Sequence, residues 1–323
     1  MFNQSAPVPS VTALDLEGLD LRRLTNRLIR RVNLARRAAM RPATVAALAR
    51  LSEPASQRRM LFVVGAARSG TTAMQTALNA SAEVFLLGEA NLFRENLKPG
   101  FRARYNAQHR DGGLPPSKQT ECPEVAPENS TWVEIVAALA MQHRFVGEKV
   151  AFGAYEPDRF VSEFLAFHRR HFHGAAYILT FRNPRDAILS PRSTWGIQVL
   201  APWALSYIAA TRGLIRLRRN FPRTVPVFLE SIQPATFRAI ERCLDCPMPQ
   251  ISAHMFGKAP SLPEPEQVPP ELRETVADLE AVYPTLCRAV ESAGTSDLNE
   301  SLDSIDAHLD GLRRRLARAP QRA

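Results

Sequence analysis

The segment Gly65-Ala-Ala-Arg68-Ser69-Gly70-Thr71-Thr72 constrains this chain more than any other. It follows an apolar run, Met60 to Val64, and leads into a stretch whose Ala73, Met74, Ala77 and Leu78 share one side of a helix. A strand, a Gly-containing turn and a helix in that order present successive loop N–H groups, backed by the helix dipole, to an anion. Further strand candidates are Val84 to Leu87, Lys149 to Phe152, Ala176 to Phe181 and Val225 to Leu229. Helical patterns occupy the stretches Thr131 to Arg144, Asp158 to His173 and Ile197 to Asn220. Strands alternating with helices predict an α/β fold with a parallel sheet covered on both faces.

The loop departs from a Walker A loop at one informative position. Nucleotide hydrolases of that kind need Lys before the final Ser/Thr to reach the outer phosphates, and the hydroxyl to hold magnesium. Thr71 stands in the Lys position, and the cation has moved to Arg68 inside the loop. A guanidinium there suits a forked grip on a phosphate or sulfate oxygen pair.

A second anion signal is Tyr177-Ile-Leu-Thr-Phe-Arg182-Asn-Pro-Arg185-Asp186-Ala-Ile-Leu-Ser190. A strand ends at Arg182, Pro184 fits the first turn of a following helix, and Ser190 lies eight residues beyond the Arg. One or two helical turns bring the Ser190 hydroxyl back toward the Arg182 guanidinium. An Arg and a hydroxyl beyond the carboxyl end of a parallel strand form a second phosphate site.

With both motifs in order, the chain resembles the sulfotransferases that use 3′-phosphoadenosine 5′-phosphosulfate, over roughly Met60 to Pro249. Their 5′-phosphosulfate loop reads like Arg68-Ser69-Gly70-Thr71-Thr72, and their 3′-phosphate motif has Arg and Ser at the spacing of Arg182 and Ser190. The resemblance implies a three-layer P-loop-like fold, that donor as cofactor, no metal, and transfer to a hydroxyl of a carbohydrate, lipid or small molecule by in-line displacement. In the family a His or Glu after the second strand is the catalytic base, and here that place holds Glu89, expected to be buried. Val146-Gly-Glu148-Lys149 resembles the Glu-Lys pair of the third strand in bacterial and carbohydrate branches, making Lys149, with Arg68, a candidate to offset charge on the transferring group. His109 and His143 are fallback bases. A P-loop kinase or nucleotide hydrolase, and a non-catalytic nucleotide-binding module, are the alternatives. The Gly-rich lid of the animal enzymes has only Phe256-Gly257-Lys258 as a weak counterpart.

The net charge of +9 is confined to one arm. Residues 21–59 carry eleven Arg against one acid, Glu53, so the rest of the chain is close to neutral. The expected domains are a basic helical arm over 1–59, an α/β domain over 60–260 and C-terminal helices over 261–323. The arm is read as a helix docked through Leu21, Leu24, Leu28 and Val32, with contact to an anionic membrane as the alternative; few aromatics interleave its Arg residues, which disfavours nucleic acid. In the C-terminal segment Leu298, Leu302, Ile305, Leu309, Leu312 and Leu316 make a short heptad seam, either for docking or for homo-oligomerisation with the arm. No apolar run approaches the roughly 18–20 residues of a membrane span. Four cysteines in 323 residues are no disulfide framework, and a cytoplasmic location is expected, with peripheral contact to the inner membrane face as an option. Cys243-Leu-Asp-Cys246 lacks a second pair and reads as packing rather than zinc ligation. Residues 91–130 are polar and Pro/Gly-rich and are expected to form an irregular, acceptor-facing insertion.

Overall fold

The computed structural model describes residues 42–95, 98–111, 121–153, 155–248, 251, 263–291 and 296–318. The Leu stripe of the arm and the Phe256-Gly257-Lys258 segment lie outside the described residues. Five strands, β1 (Met60–Ala66), β2 (Val84–Gly88), β3 (Phe145–Phe152), β4 (Ala176–Phe181) and β5 (Arg223–Phe228), pair in the order β2-β3-β1-β4-β5, all parallel. Every residue of β1 and β4 is buried, as expected for strands covered on both faces.

Alternation divides the core in two. Met60, Phe62 and Val64 of β1 face one apolar cluster, while Leu61 and Val63 face the other. The second, smaller cluster is roofed by α3 (Thr71–Asn79) and α10 (Pro234–Leu244) through Met74, Leu78, Phe237 and Ile240. Cys246 is buried in that cluster and Cys243 packs against it, the packing role expected for this pair.

The larger cluster takes α1 (Pro42–Leu51), α4 (Leu92–Glu95), α5 (Phe101–Asp111), α6 (Trp132–Leu139), α7 (Pro157–His171), α8 (Pro184–Trp195), α9 (Ala201–Asn220), α11 (Arg273–Glu291) and α12 (Ser296–Arg318), while the short α2 (Pro54–Gln57) follows α1 with no buried residue. The result is three layers, helix on sheet on helix. Two of the helices, α4 and α5, occupy the stretch read as irregular; Leu92, Phe101 and Tyr105 are buried there, and their ring and aliphatic surfaces supply the packing that the polar composition concealed. Thr131 caps α6 by accepting from the Glu134 N–H, while Glu134 accepts from the Thr131 N–H. Asn183 caps α8 by accepting from the N–H groups of Arg185 and Asp186, and Gly196 ends it in the left-handed region.

Both termini of the described chain belong to this core. Ala47 and Leu51 of α1 are buried in the larger cluster, and Thr44 donates to Glu134 at 2.8 Å, so this part of the expected arm packs on the body. The seam residues Leu302, Ile305, Leu309, Leu312 and Leu316 of α12 are buried within the subunit. Arg212 of α9 binds Asp306 at 2.7 Å and also Asp310, fixing α12 on the body. That part of the heptad pattern serves docking rather than a second subunit. Among the described residues no helix is long and apolar enough to cross a membrane.

Candidate functional site

The chain leaves β1 toward β2 and returns through β3 on one side, then continues to β4 on the other, so β1 flanks the topological switch point. Ligands of open α/β sheets bind outside the carboxyl ends of the strands at such a point. The loop from β1 to α3 lies there. Gly65 is required because β4 comes close: a Cβ would lie 2.0 Å from the Thr180 hydroxyl. Gly70, at φ 83°, precedes the first turn of α3 in the left-handed region that favours glycine. Ser69 donates to the Ala66 carbonyl at 2.7 Å and shares a 2.8 Å hydrogen bond with Thr180, so its hydroxyl shapes the loop from within. Thr71 and Thr72 begin α3, directly after the loop, and Thr71 is buried.

Arg68, at φ 70°, reaches across the cleft to α8. Its Nε donates to Ser190 Oγ at 3.0 Å, its Nη2 to Thr194 Oγ1 at 2.9 Å, and the guanidinium lies 4.9 Å from the Trp195 ring centroid. Arg182 instead donates through Nε to Asp186 Oδ2 at 2.5 Å and through Nη1 to the Arg68 carbonyl at 2.8 Å. The expected Arg182–Ser190 pair is thus rearranged. Asp186, one helical turn after Arg182, takes that guanidinium, and Ser190 receives Arg68. Arg68 of the first motif and Arg182, Asp186 and Ser190 of the second line one cleft of about 610 Å³, together with Arg192 and Gln267 among others. Burial, followed by the charge of Arg182, lowers the Arg68 pKa, with Asp186 opposing.

The second group of candidate residues assembles where β2 ends. Gly88 and Lys149 are direct partners in the β2–β3 register, so Glu89 is carried to the Lys149 side chain. Lys149 Nζ donates to Glu89 Oε1 at 2.5 Å; the lysine side chain is 7% exposed and the glutamate 54%. Glu89 is therefore half exposed rather than buried, because the turn that carries it opens at the strand ends. Lys149 is the enclosed partner. Strand alternation sets Lys149 on the α3 face of the sheet, the face of Phe145. Glu148, its neighbour, points to the opposite face and is fully buried.

His143 lies just before β3, at the amino edge of the sheet, where its Nδ1 bonds the Ala82 carbonyl and its ring stacks on Phe85. It cannot serve a site at the carboxyl edge. His109 falls in α5, and its side chain lies outside the described residues. A second concavity, of about 430 Å³ beside Arg223, Arg242 and Cys243, also sits at the amino edge and contains neither motif.

Sequence reasoning missed several cleft or site residues, Thr194, Trp195, Arg192 and Gln267 among them. Thr194 and Trp195 extend the helix of the second motif by one turn past Ser190, through Pro191, which in sequence reads as a helix stop and so concealed them. Arg192 and Gln267 meet only because the segment before α11 folds back, the Arg192 guanidinium donating to the Gln267 carbonyl at 3.3 Å. No local signal marks that contact.

An all-parallel α/β sheet with a guanidinium-bearing loop after β1 and a cationic cleft shared with the end of β4 defines the class of this protein. The chain belongs to the sulfotransferase family, whose model matches residues 61–226. Among solved structures it is similar to the sulfotransferase domain from the Synechococcus PCC 7002 olefin synthase, with 16% identity over 70% of this chain and 94% of that domain and a TM-score of 0.47. No curated protein matches it.

Proposed function

We propose that this protein transfers the sulfuryl group of 3′-phosphoadenosine 5′-phosphosulfate to a hydroxyl of a carbohydrate, lipid or small-molecule acceptor. The observation that carries the reading is the charge of the cleft. Three guanidinium groups, Arg68, Arg182 and Arg192, line the cleft with one carboxylate, Asp186, and the Ser190 hydroxyl. Such a surplus at a switch point suits a ligand with two separate anionic groups. Its volume is in the range of nucleotide-sized sites.

In this reading Arg182 and Ser190 hold the 3′-phosphate, and Arg68, Ser69, Gly70, Thr71 and Thr72 form the cradle for the 5′-phosphosulfate. The donor supplies an activated sulfuryl group and leaves as adenosine 3′,5′-bisphosphate. Glu89 Oε1 or Oε2 takes the proton from the acceptor hydroxyl, and half exposure gives that acceptor access to it. Lys149 Nζ orients the carboxylate and offsets charge that develops on the transferring oxygens. Trp195, half exposed beneath Arg68, gives the rim an apolar face for the acceptor. Thr71 in the position of the Walker lysine argues against a kinase or nucleotide hydrolase.

Calorimetric titration with adenosine 3′,5′-bisphosphate and with ATP, each with and without magnesium, tests this assignment. Metal-independent binding of the bisphosphate with little response to ATP is expected. Magnesium-dependent ATP binding with none for the bisphosphate would overturn it in favour of a kinase or hydrolase.

A further inference from the structure

The turn that carries Glu89 is held in an unfavourable backbone conformation. Glu89 and Asn91 both have positive φ, 51° and 52°, and neither is glycine. The left-handed region is unfavourable for a glutamate and more readily adopted by an asparagine, so surrounding contacts are needed above all to hold Glu89 there. Several do. The Glu89 N–H donates to the Lys149 carbonyl at 2.7 Å. The Gly88 N–H donates to Tyr105 Oη at 2.9 Å, and the Tyr105 hydroxyl donates to the Gly88 carbonyl at 3.1 Å. Asn91 Nδ2 donates to the Glu89 carbonyl at 3.1 Å. From beneath, Glu148 Oε1 accepts the Leu92 N–H at 2.9 Å, and the neighbouring Asn91 N–H also favours charge on that carboxyl.

Glu148 is an unusual choice for that duty. It has no exposed surface, and among the described residues its Oε2 has no hydrogen-bond partner. Most buried polar atoms are paired, and an apolar residue at this strand position would pack without that penalty. What an apolar residue would lack is an acceptor for the turn. Because 148 and 149 are successive strand residues, they emerge on opposite faces of β3. Lys149 thereby grips the Glu89 side chain while Glu148 grips the backbone that follows it.

We propose that Glu148 is a positioning residue, whose Oε1 holds the Asn91–Leu92 backbone and so fixes the turn that aims the Glu89 carboxylate at Lys149 and the acceptor hydroxyl. The inference rests on the reading of Glu89 as proton acceptor. Burial pushes Glu148 up to about 8 against the opposing backbone N–H groups, so at neutral pH its unpaired oxygen carries a proton. A neutral amide therefore reproduces the group: one oxygen accepts from the turn and an NH2 replaces the protonated oxygen.

The test compares Glu148→Leu, Glu148→Gln, Tyr105→Phe and Glu89→Gln in the full-length protein. Three quantities are read: hydrogen exchange of the Leu92 amide, calorimetric affinity for adenosine 3′,5′-bisphosphate, and the rate at which that bisphosphate is released from 3′-phosphoadenosine 5′-phosphosulfate with water as acceptor. In Glu148→Leu the Leu92 amide should exchange at least about 10-fold faster and the release rate should fall by about 10- to 100-fold, the range for a misplaced catalytic group, with affinity changed less than about 3-fold. Glu148→Gln should restore both the protection and the rate. Tyr105→Phe, which keeps the ring in place, should slow release in the same direction and thus tests the clamp should Glu148→Leu fail to fold. Loss of rate in Glu148→Gln equal to that in Glu148→Leu, or unchanged Leu92 protection in Glu148→Leu, would overturn the proposal. An undiminished rate in Glu89→Gln would instead sink the assignment of the base, while the Leu92 exchange still reports on the clamp.

Discussion

Replacing Glu148 with Gln should make the protein more stable than its parent in alkaline solution and not in acid. Burial drives the Glu148 carboxyl up to about 8; the Leu92 and Asn91 N–H groups oppose, and the Glu89 charge adds to the rise. In the unfolded chain the same group titrates near 4.5. Below 4.5 both states carry the proton, and Glu148 contributes no pH dependence. Between 4.5 and 8 only the folded state retains it, so stability falls as pH rises, by at most about 1.4 kcal/mol per unit. The whole interval corresponds to about 5 kcal/mol, of which the range from pH 5 to pH 9 covers about 4 kcal/mol. Above 8 the loss is complete and the curve is flat again. The amide of Glu148→Gln has no such transition, whereas all other titrations are common to the two proteins and cancel. Urea unfolding of both proteins at pH 5, 6, 7, 8 and 9 provides the comparison. Glu148→Gln should gain on the parent by about 4 kcal/mol between the extremes. A difference that stays constant across the series would refute the reasoning, since it would mean that Glu148 is ionised in the folded protein at every pH.

Two further expectations concern the cleft and the C-terminal helix. Arg182→Ala should weaken binding of adenosine 3′,5′-bisphosphate far more than that of adenosine 5′-phosphosulfate, measured by calorimetry; equal losses would detach Arg182 from the 3′-phosphate. Leu309→Ala should destabilise the protein by about 2–5 kcal/mol, the range for a buried leucine, because Leu309 is 2% exposed within the subunit. Its sedimentation should not change, and a shift to lower mass would show that α12 holds subunits together.

The local signals were legible because each rests on short-range geometry. An apolar run followed by a glycine turn and a helical stripe dictates strand, loop and helix, and β1, the loop and α3 follow that pattern. β4 runs over Ala176–Phe181, the expected span, for the same reason: six consecutive apolar or β-prone residues between turns. The Thr71 substitution and the placement of Arg68 in the loop were likewise readable position by position.

Other features depend on which strands become neighbours, and no local pattern encodes that. The order β2-β3-β1-β4-β5 sets Gly88 beside Lys149, and only this register turns Glu89 and Lys149 into an ion pair. Spacing alone carries Ser190 toward Arg182 but does not disclose that Asp186, on the same helix, pairs with Arg182 while Arg68 from another strand end reaches Ser190. The heptad seam of α12 looks alike in sequence whether it meets another subunit or α9; the Arg212 contacts with Asp306 and Asp310 decide it. Glu148 is the plainest case. By residue type it is a surface residue, and the same alternation that exposes Lys149 to Glu89 directs Glu148 into the core. A one-dimensional pattern specifies on which side of a strand a residue lies, but only the packed sheet decides what waits there.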